Sequence, residues 1–109
     1  MNRIILNGIA GSPGLVEGRA WIIKDPEKTP KDLKPDYIMV ADHTSPVLAL
    51  ALRQAKAIVC EKGTTTSHAA VVAREFGIPC LVSVKNALAT IKNDDFLVVD
   101  ADEGKVIIN

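Results

Sequence analysis

One hundred and nine residues, 48% of them hydrophobic, suffice for one domain with its own core and are too few for two ordinary ones, so the chain reads as a single domain over 1–109. Thirteen basic side chains balance thirteen acidic ones without local clustering, which excludes a field strong enough to recruit nucleic acid or an anionic membrane surface. The apolar run at 4–6 is too short for a signal peptide and no later run approaches a membrane span, so the expected location is the cytoplasm.

In chain order, residues 4–9 read as a strand running into the turn chemistry of Gly11-Ser12-Pro13-Gly14. That turn lacks the Lys-Ser/Thr ending of a P-loop and opens no helix, so it is not read as a nucleotide cradle. Residues 16–23 form a second strand around Trp21. Residues 25–36 are charged and carry Pro26, Pro30 and Pro35, which marks a surface connection tolerant of insertions. Residues 37–41 are a short apolar run of the buried-strand kind, and Asp42 to Pro46 form a turn that caps the next helix, with Pro46 at its first position. The helix expected over 47–54 is apolar almost all round, as for an element that is buried or sits at a contact between domains. His43 reads as a loop histidine. Residues 57–60 are the strand that delivers the chain to the 63–68 loop, 80–84 the strand that leaves the following helix, and 96–100 with 105–108 a closing hairpin. Cys60 and Cys80, without C-x-x-C spacing or companion ligands, read as buried free thiols.

The chain is organised around residues 63–79, Gly-Thr-Thr-Thr-Ser-His-Ala-Ala-Val-Val-Ala-Arg-Glu-Phe-Gly-Ile-Pro. Thr66 or Ser67 is a natural N-cap for a helix over 69–76, and Gly77 followed by Pro79 ends it. Ala69, Val72, Ala73 and Phe76 recur at i, i+3, i+4, i+7, the face expected to pack on a sheet. His68 falls in the first turn, at the end of that stripe, where N–H groups lack intrahelical partners and the macrodipole is positive. A phosphoryl group is the anion such a place would hold.

Residues 66–79 resemble the G-G-x-T-S-H-A-A-x-x-A-R-x-x-G-I-P signature of the phosphohistidine, or swivelling, domain of phosphoenolpyruvate-utilising enzymes, which include pyruvate phosphate dikinase, phosphoenolpyruvate synthase and enzyme I of the sugar phosphotransferase system. The likeness extends to Gly8–Gly18, similar to the G-x-x-x-S-P-G-x-x-x-G opening, to Tyr37–Pro46, similar to a strand ending in a D-x-T-x-P turn, and to Val98–Val106, similar to the closing hairpin. Two positions depart from the pattern: Thr64 replaces the second of the paired glycines, and Ser83 replaces the glycine after the G-I-P strand. The resemblance implies an α/β fold, the layered β/β/α swivelling domain with a mixed sheet and helices packed on one side. It also implies that His68 is the phosphoacceptor, through Nε2. Thr66 and Ser67 would steady the loop and donate to phosphate oxygens, Thr64 would add a hydroxyl, and Gly63 would permit close backbone approach. Arg74, six residues on and away from the apolar stripe, suits a grip on a partner or its bound phosphates.

Imidazole is nucleophilic at neutral pH, and its phosphoramidate transfers readily once the leaving nitrogen is protonated. The chain shows no P-loop, no carboxylate cluster spaced for Mg²⁺ and no room for a barrel. It is therefore expected to bind no cofactor itself. Mg²⁺ with ATP or phosphoenolpyruvate is expected on nucleotide-binding and pyruvate- or other substrate-binding partner subunits, with this chain as a stand-alone phosphotransferase component, or an excised domain of one, inactive without them. The alternative is a regulatory or binding module that keeps the swivelling fold and carries no phosphate.

Overall fold

The computed structural model describes residues 3–109. The elements run β1 (Ile4–Asn7), β2 (Ile9–Ser12), β3 (Leu15–Ile22), β4 (Ile38–Ala41), a 3-10 turn (Pro46–Leu48) leading into α1 (Ala49–Gln54), β5 (Ala57–Cys60), α2 (His68–Phe76), β6 (Cys80–Val82), α3 (Ala87–Thr90), β7 (Phe96–Asp100) and β8 (Lys105–Ile108). The strands form one mixed sheet in the order β1-β8-β7-β3-β4-β5-β6-β2.

β3 joins two halves. Its residues 15–19 pair antiparallel with β7, while residues 20–22 pair parallel with β4. On one side lies the antiparallel set with the closing hairpin, and on the other the parallel run β4-β5-β6 edged by antiparallel β2. Although β1 and β2 stand at opposite ends of the strand order, only Gly8 separates them in the chain, so the halves must fold over one another. Between them Val40, Val59 and Leu81 meet Leu97, Val99 and Val106, all fully buried. The neighbouring residues Met39, Ile58 and Cys80 pair across β4, β5 and β6 and face the other way, under Leu48 and Leu52 and under Ala69 and Ala73 of α2. Burial on both faces explains why these strands read as unbroken apolar runs, and each such side chain contributes about 1.5–3 kcal/mol.

The layers are thus β/β/α, with the 3-10 turn, α1 and α2 on one face. Four details differ from the sequence reading. The run at 4–9 is broken at Gly8, and the second strand continues to Ser12, so the turn shrinks to Pro13-Gly14. Gly11 lies inside that strand because α2 passes directly over it: a Cβ there would stand 2.8 Å from the Ala70 Cβ. This close approach rotates the buried face of α2 toward Ala70, leaving Phe76 42% exposed, whereas the spacing had placed Phe76 in the stripe. The helix over 47–54 is buried on one side only, through Leu48, Ala51 and Leu52, and Leu50 is 62% exposed. Finally, α3 is a single turn too short to leave a periodic signal, and Ala87 joins the cluster between the two halves. Among the described residues no helix is long and apolar enough to cross a membrane.

Candidate functional site

Ala41 and Cys60 are register partners at the carboxyl ends of the parallel strands β4 and β5. The loops that follow therefore leave the sheet side by side. The Glu61 N–H donates to the Ala41 carbonyl at 3.0 Å and the Lys62 N–H to the Asp42 carbonyl at 2.9 Å, which extends the pairing past the strands. One loop presents Thr44 and the other leads through residues 61–67 to His68.

His68 is the first residue of α2, and Ser67 is its N-cap, with φ −72° and ψ 163°. The Ser67 hydroxyl does not cap the helix. It donates instead to the Thr64 carbonyl at 2.8 Å, so no side chain occupies the positive end of the helix. Gly77 closes α2 in the left-handed region, φ 67°, as its sequence position predicts.

The His68 Nδ1 lies 2.8 Å from the Thr44 Oγ1, and Thr44 is only 6% exposed. A hydroxyl can accept from Nδ1–H or donate to bare Nδ1. When it accepts, the proton sits on Nδ1 and the Nε2 lone pair is free, which is the nucleophilic tautomer. The contact engages Nδ1, while Nε2 has no hydrogen-bond partner among the described residues.

The loop before His68 is internally braced. Gly63 adopts φ 117°, and a Cβ there would meet the Ser67 Oγ at 2.9 Å. Thr64 and Thr66 hydroxyls lie 3.0 Å apart, and the Thr66 N–H donates to the Thr64 Oγ1 at 3.3 Å. Thr64 itself is not among the positive-φ residues, so the loop follows a path open to threonine. Ser83, the other departure from the family pattern, takes φ 56° and carries the strain of the left-handed region. Arg74 does not stand free: its Nη1 donates to the Gly11 carbonyl at 2.7 Å and the Thr65 carbonyl at 2.9 Å. Helical side chains lean toward the N-terminus, which carries this guanidinium back over the loop and ties it to β2.

Gly63, Ser67 and His68 line a small hollow of about 40 Å³ together with Thr44, Lys62 and the buried Cys60. Thr64, Thr66 and Arg74 do not line it. A larger, open hollow of about 190 Å³ between Trp21 and Pro30 does not include His68. Burial pushes the Cys60 thiol above its ordinary range and the Cys80 thiol up to about 12, which disfavours the reactive thiolate. Thr44 is the residue that sequence reasoning passed over. Its D-x-T-x-P setting was legible, but only the parallel register of β4 and β5 brings it to His68.

A loop histidine in the sequence, His43 occupies the same rim. Its Nδ1 is 3.0 Å from the Asp42 Oδ2 and its Nε2 2.9 Å from the Glu27 Oε2, with Lys62 Nζ 3.5 Å from the same Asp42 oxygen. Hydrogen bonds to Asp42 and then to Glu27 raise the His43 pKa above its ordinary value of 6.5, and the bond from His43 lowers that of Asp42.

Residues 33–104 match the family described as PEP-utilising enzyme, mobile domain. The chain is 41% identical over 103 residues to a phosphoenolpyruvate synthase of Pyrococcus furiosus, and 43% identical over 108 residues to the prodigiosin synthesizing transferase PigC of Serratia marcescens. These alignments cover 94% and 95% of this chain but 12% of each relative, so the chain spans about an eighth of their length. Among solved structures, enzyme I in solution superposes with a TM-score of 0.63 at 31% identity, covering 72% of this chain and 32% of that one. The aconitase X of Thermococcus kodakaraensis superposes at 0.73 over 97% of this chain and 98% of that one, and at 21% identity shares the fold alone. With the family match running over residues 33–104 and 41% identity to such a relative across most of the chain, the chain belongs to the mobile-domain family of phosphoenolpyruvate-utilising enzymes.

Proposed function

We propose that this chain is a phosphoryl carrier in which His68 is transiently phosphorylated on Nε2. The observation that carries the reading is the Thr44–His68 contact at the uncapped start of α2. In the forward step the Nε2 lone pair attacks phosphorus, the N–P bond forms, and the donor's bond to phosphorus breaks with its electron pair leaving on the donor. The ring then carries the Nδ1 proton and a positive charge, and Thr44 Oγ1 accepts from that N–H. In the return step an acceptor oxygen attacks, and the N–P pair goes back to Nε2. The N–H groups of the first turn, which lack intrahelical partners, would hold the phosphoryl oxygens without displacing a capping side chain. Ser67, Thr64, Thr66 and Arg74 hold the loop through their hydrogen bonds, and the Ser67 hydroxyl beside the hollow is placed to reach a phosphoryl oxygen once the group arrives.

Family membership supports the transferase class. The donor and acceptor sites, with Mg²⁺ and ATP or phosphoenolpyruvate, belong on this reading to other domains or chains of a cytoplasmic phosphotransferase, and this chain delivers His68 to each. The test is chemical phosphorylation by the small donor phosphoramidate, followed by intact-mass measurement and an acid challenge. One added phosphoryl group that is lost in acid and absent from His68→Ala supports the carrier. An acid-stable group, or one that persists in His68→Ala, overturns it.

A further inference from the structure

The two residues that flank Thr44 are both tied to the connection at 24–36. The buried Ser45 donates its hydroxyl to the Pro26 carbonyl at 2.6 Å, and His43 meets Glu27 at 2.9 Å. Pro26 and Glu27 are consecutive, so one short piece of a segment that reads as a mere linker grips the Thr44 turn from both sides. Beyond the strand end the turn's backbone is held at its two ends, by the Lys62 N–H on the Asp42 carbonyl and the Leu48 N–H on the Ser45 carbonyl.

The His43 contacts specify a charge state. Each ring nitrogen faces a carboxylate oxygen, and ionised carboxylates only accept, so both nitrogens must carry protons. A neutral ring keeps one N–H and leaves the other nitrogen's lone pair against an oxygen's. The charged groups around the ring are Glu27 from the connection, Asp42 from its own turn and Lys62 from the loop before His68, with His68 across the shared hollow. Asp25 stands behind Glu27, its Oδ1 accepting from the Glu27 N–H at 3.0 Å.

We propose that His43, as an imidazolium bridging Glu27 and Asp42, is a positioning residue for the phosphoacceptor: it clasps residues 26–27 onto the turn that aims Thr44 at His68. Because the bridge needs both protons, the clasp is closed below the His43 pKa and opens as pH rises through it. The direction agrees with hydrogen bonds that raise that pKa, since a raised value places the stabilised form on the acid side. The readiness of His68 is thereby coupled to pH through a neighbour that never touches phosphate. The proposal rests on the carrier reading for its kinetic consequence and on geometry alone for its structural one.

Two readouts separate these. The first is ¹⁵N NMR of the His68 ring in wild type, Glu27→Gln and His43→Asn, which follows the Nδ1 hydrogen bond whether or not phosphate is ever transferred. The Nδ1 signal should move toward that of a solvent-exposed imidazole in both variants, and in wild type as His43 deprotonates. The second is the pH profile of phosphorylation by phosphoramidate, taken as the ratio of wild-type to His43→Asn rates so that titration of the donor and of His68 cancels. The ratio should be at least about threefold on the acid side, within the ~100-fold that misplacement can cost, and fall to about one on the alkaline side, while Glu27→Gln, which also lacks the bridge, should lose the acid-side excess. An unchanged Nδ1 signal in both variants, or a ratio flat with pH, overturns the proposal. Failure of wild type itself to gain an acid-labile phosphoryl would instead overturn the carrier reading, and the NMR arm would still decide the clasp.

Discussion

Thr44 Oγ1 and His68 Nδ1 are 2.8 Å apart although 24 residues separate them in the chain. On the carrier reading proposed above, Thr44 accepts from Nδ1–H and so leaves Nε2 unprotonated for attack. Thr44→Val removes the acceptor and keeps the shape of a buried side chain. Phosphorylation of His68 should slow by about ten- to a hundredfold, the range in which general positioning effects fall, while Thr44→Ser stays within a few-fold of wild type. Equal rates for Thr44→Val and wild type, measured with phosphoramidate, would remove Thr44 from the site.

Arg74 gives a prediction about stability rather than chemistry. Its Nη1 joins the Gly11 and Thr65 carbonyls, so Arg74→Met should loosen residues 63–67 and cost about 1 kcal/mol, a charged hydrogen bond discounted for exposure. Urea unfolding gives the cost, and amide exchange of residues 64–67 should speed up. A residue that only gripped a partner would leave both unchanged.

Ser83 offers the opposite sign. It sits at φ 56°, where glycine has no Cβ penalty, so Ser83→Gly should raise stability by up to about 1 kcal/mol even after the added entropy of the unfolded chain. A rise in Tm on thermal unfolding is the expected result. A fall would mean that the Ser83 side chain supports the turn more than its backbone strains it.

These three residues also mark where the sequence was informative. α2 was legible to within a residue, because Ser67, Gly77 and Pro79 are local signals of a start and a stop. The closing hairpin and the first two strands of the parallel run were equally legible, whereas the strand expected over 80–84 ends at Val82. Arg74 was placed on the correct helix, but its partner at Gly11 lies 63 residues away, and no local pattern encodes that. The same holds for Thr44 and for the grip of residues 26–27 on its turn. Spacing on one helix predicts a face, whereas contacts between loops depend on which strands become neighbours. Phe76 shows the limit within a helix, since the packing of Ala70 on Gly11 turned the buried face by a position.

The chain by itself should turn over neither ATP nor phosphoenolpyruvate. In-line transfer needs a donor held and oriented against Nε2, and the hollow beside His68, about 40 Å³, is too small to hold either molecule. A coupled assay on the purified chain should read background, and turnover well above it would contradict the division of labour proposed above.

The central claim, that His68 carries a phosphoryl group on Nε2, is tested most directly by ³¹P and ¹⁵N NMR of labelled protein after treatment with phosphoramidate. The account predicts one phosphorus signal coupled to the His68 Nε2, Nδ1 keeping its bond to Thr44, and loss of the signal in acid but not in base. A phosphorus signal coupled to Nδ1, or one that survives acid as an ester of Thr64, Thr65, Thr66 or Ser67 would, would contradict it.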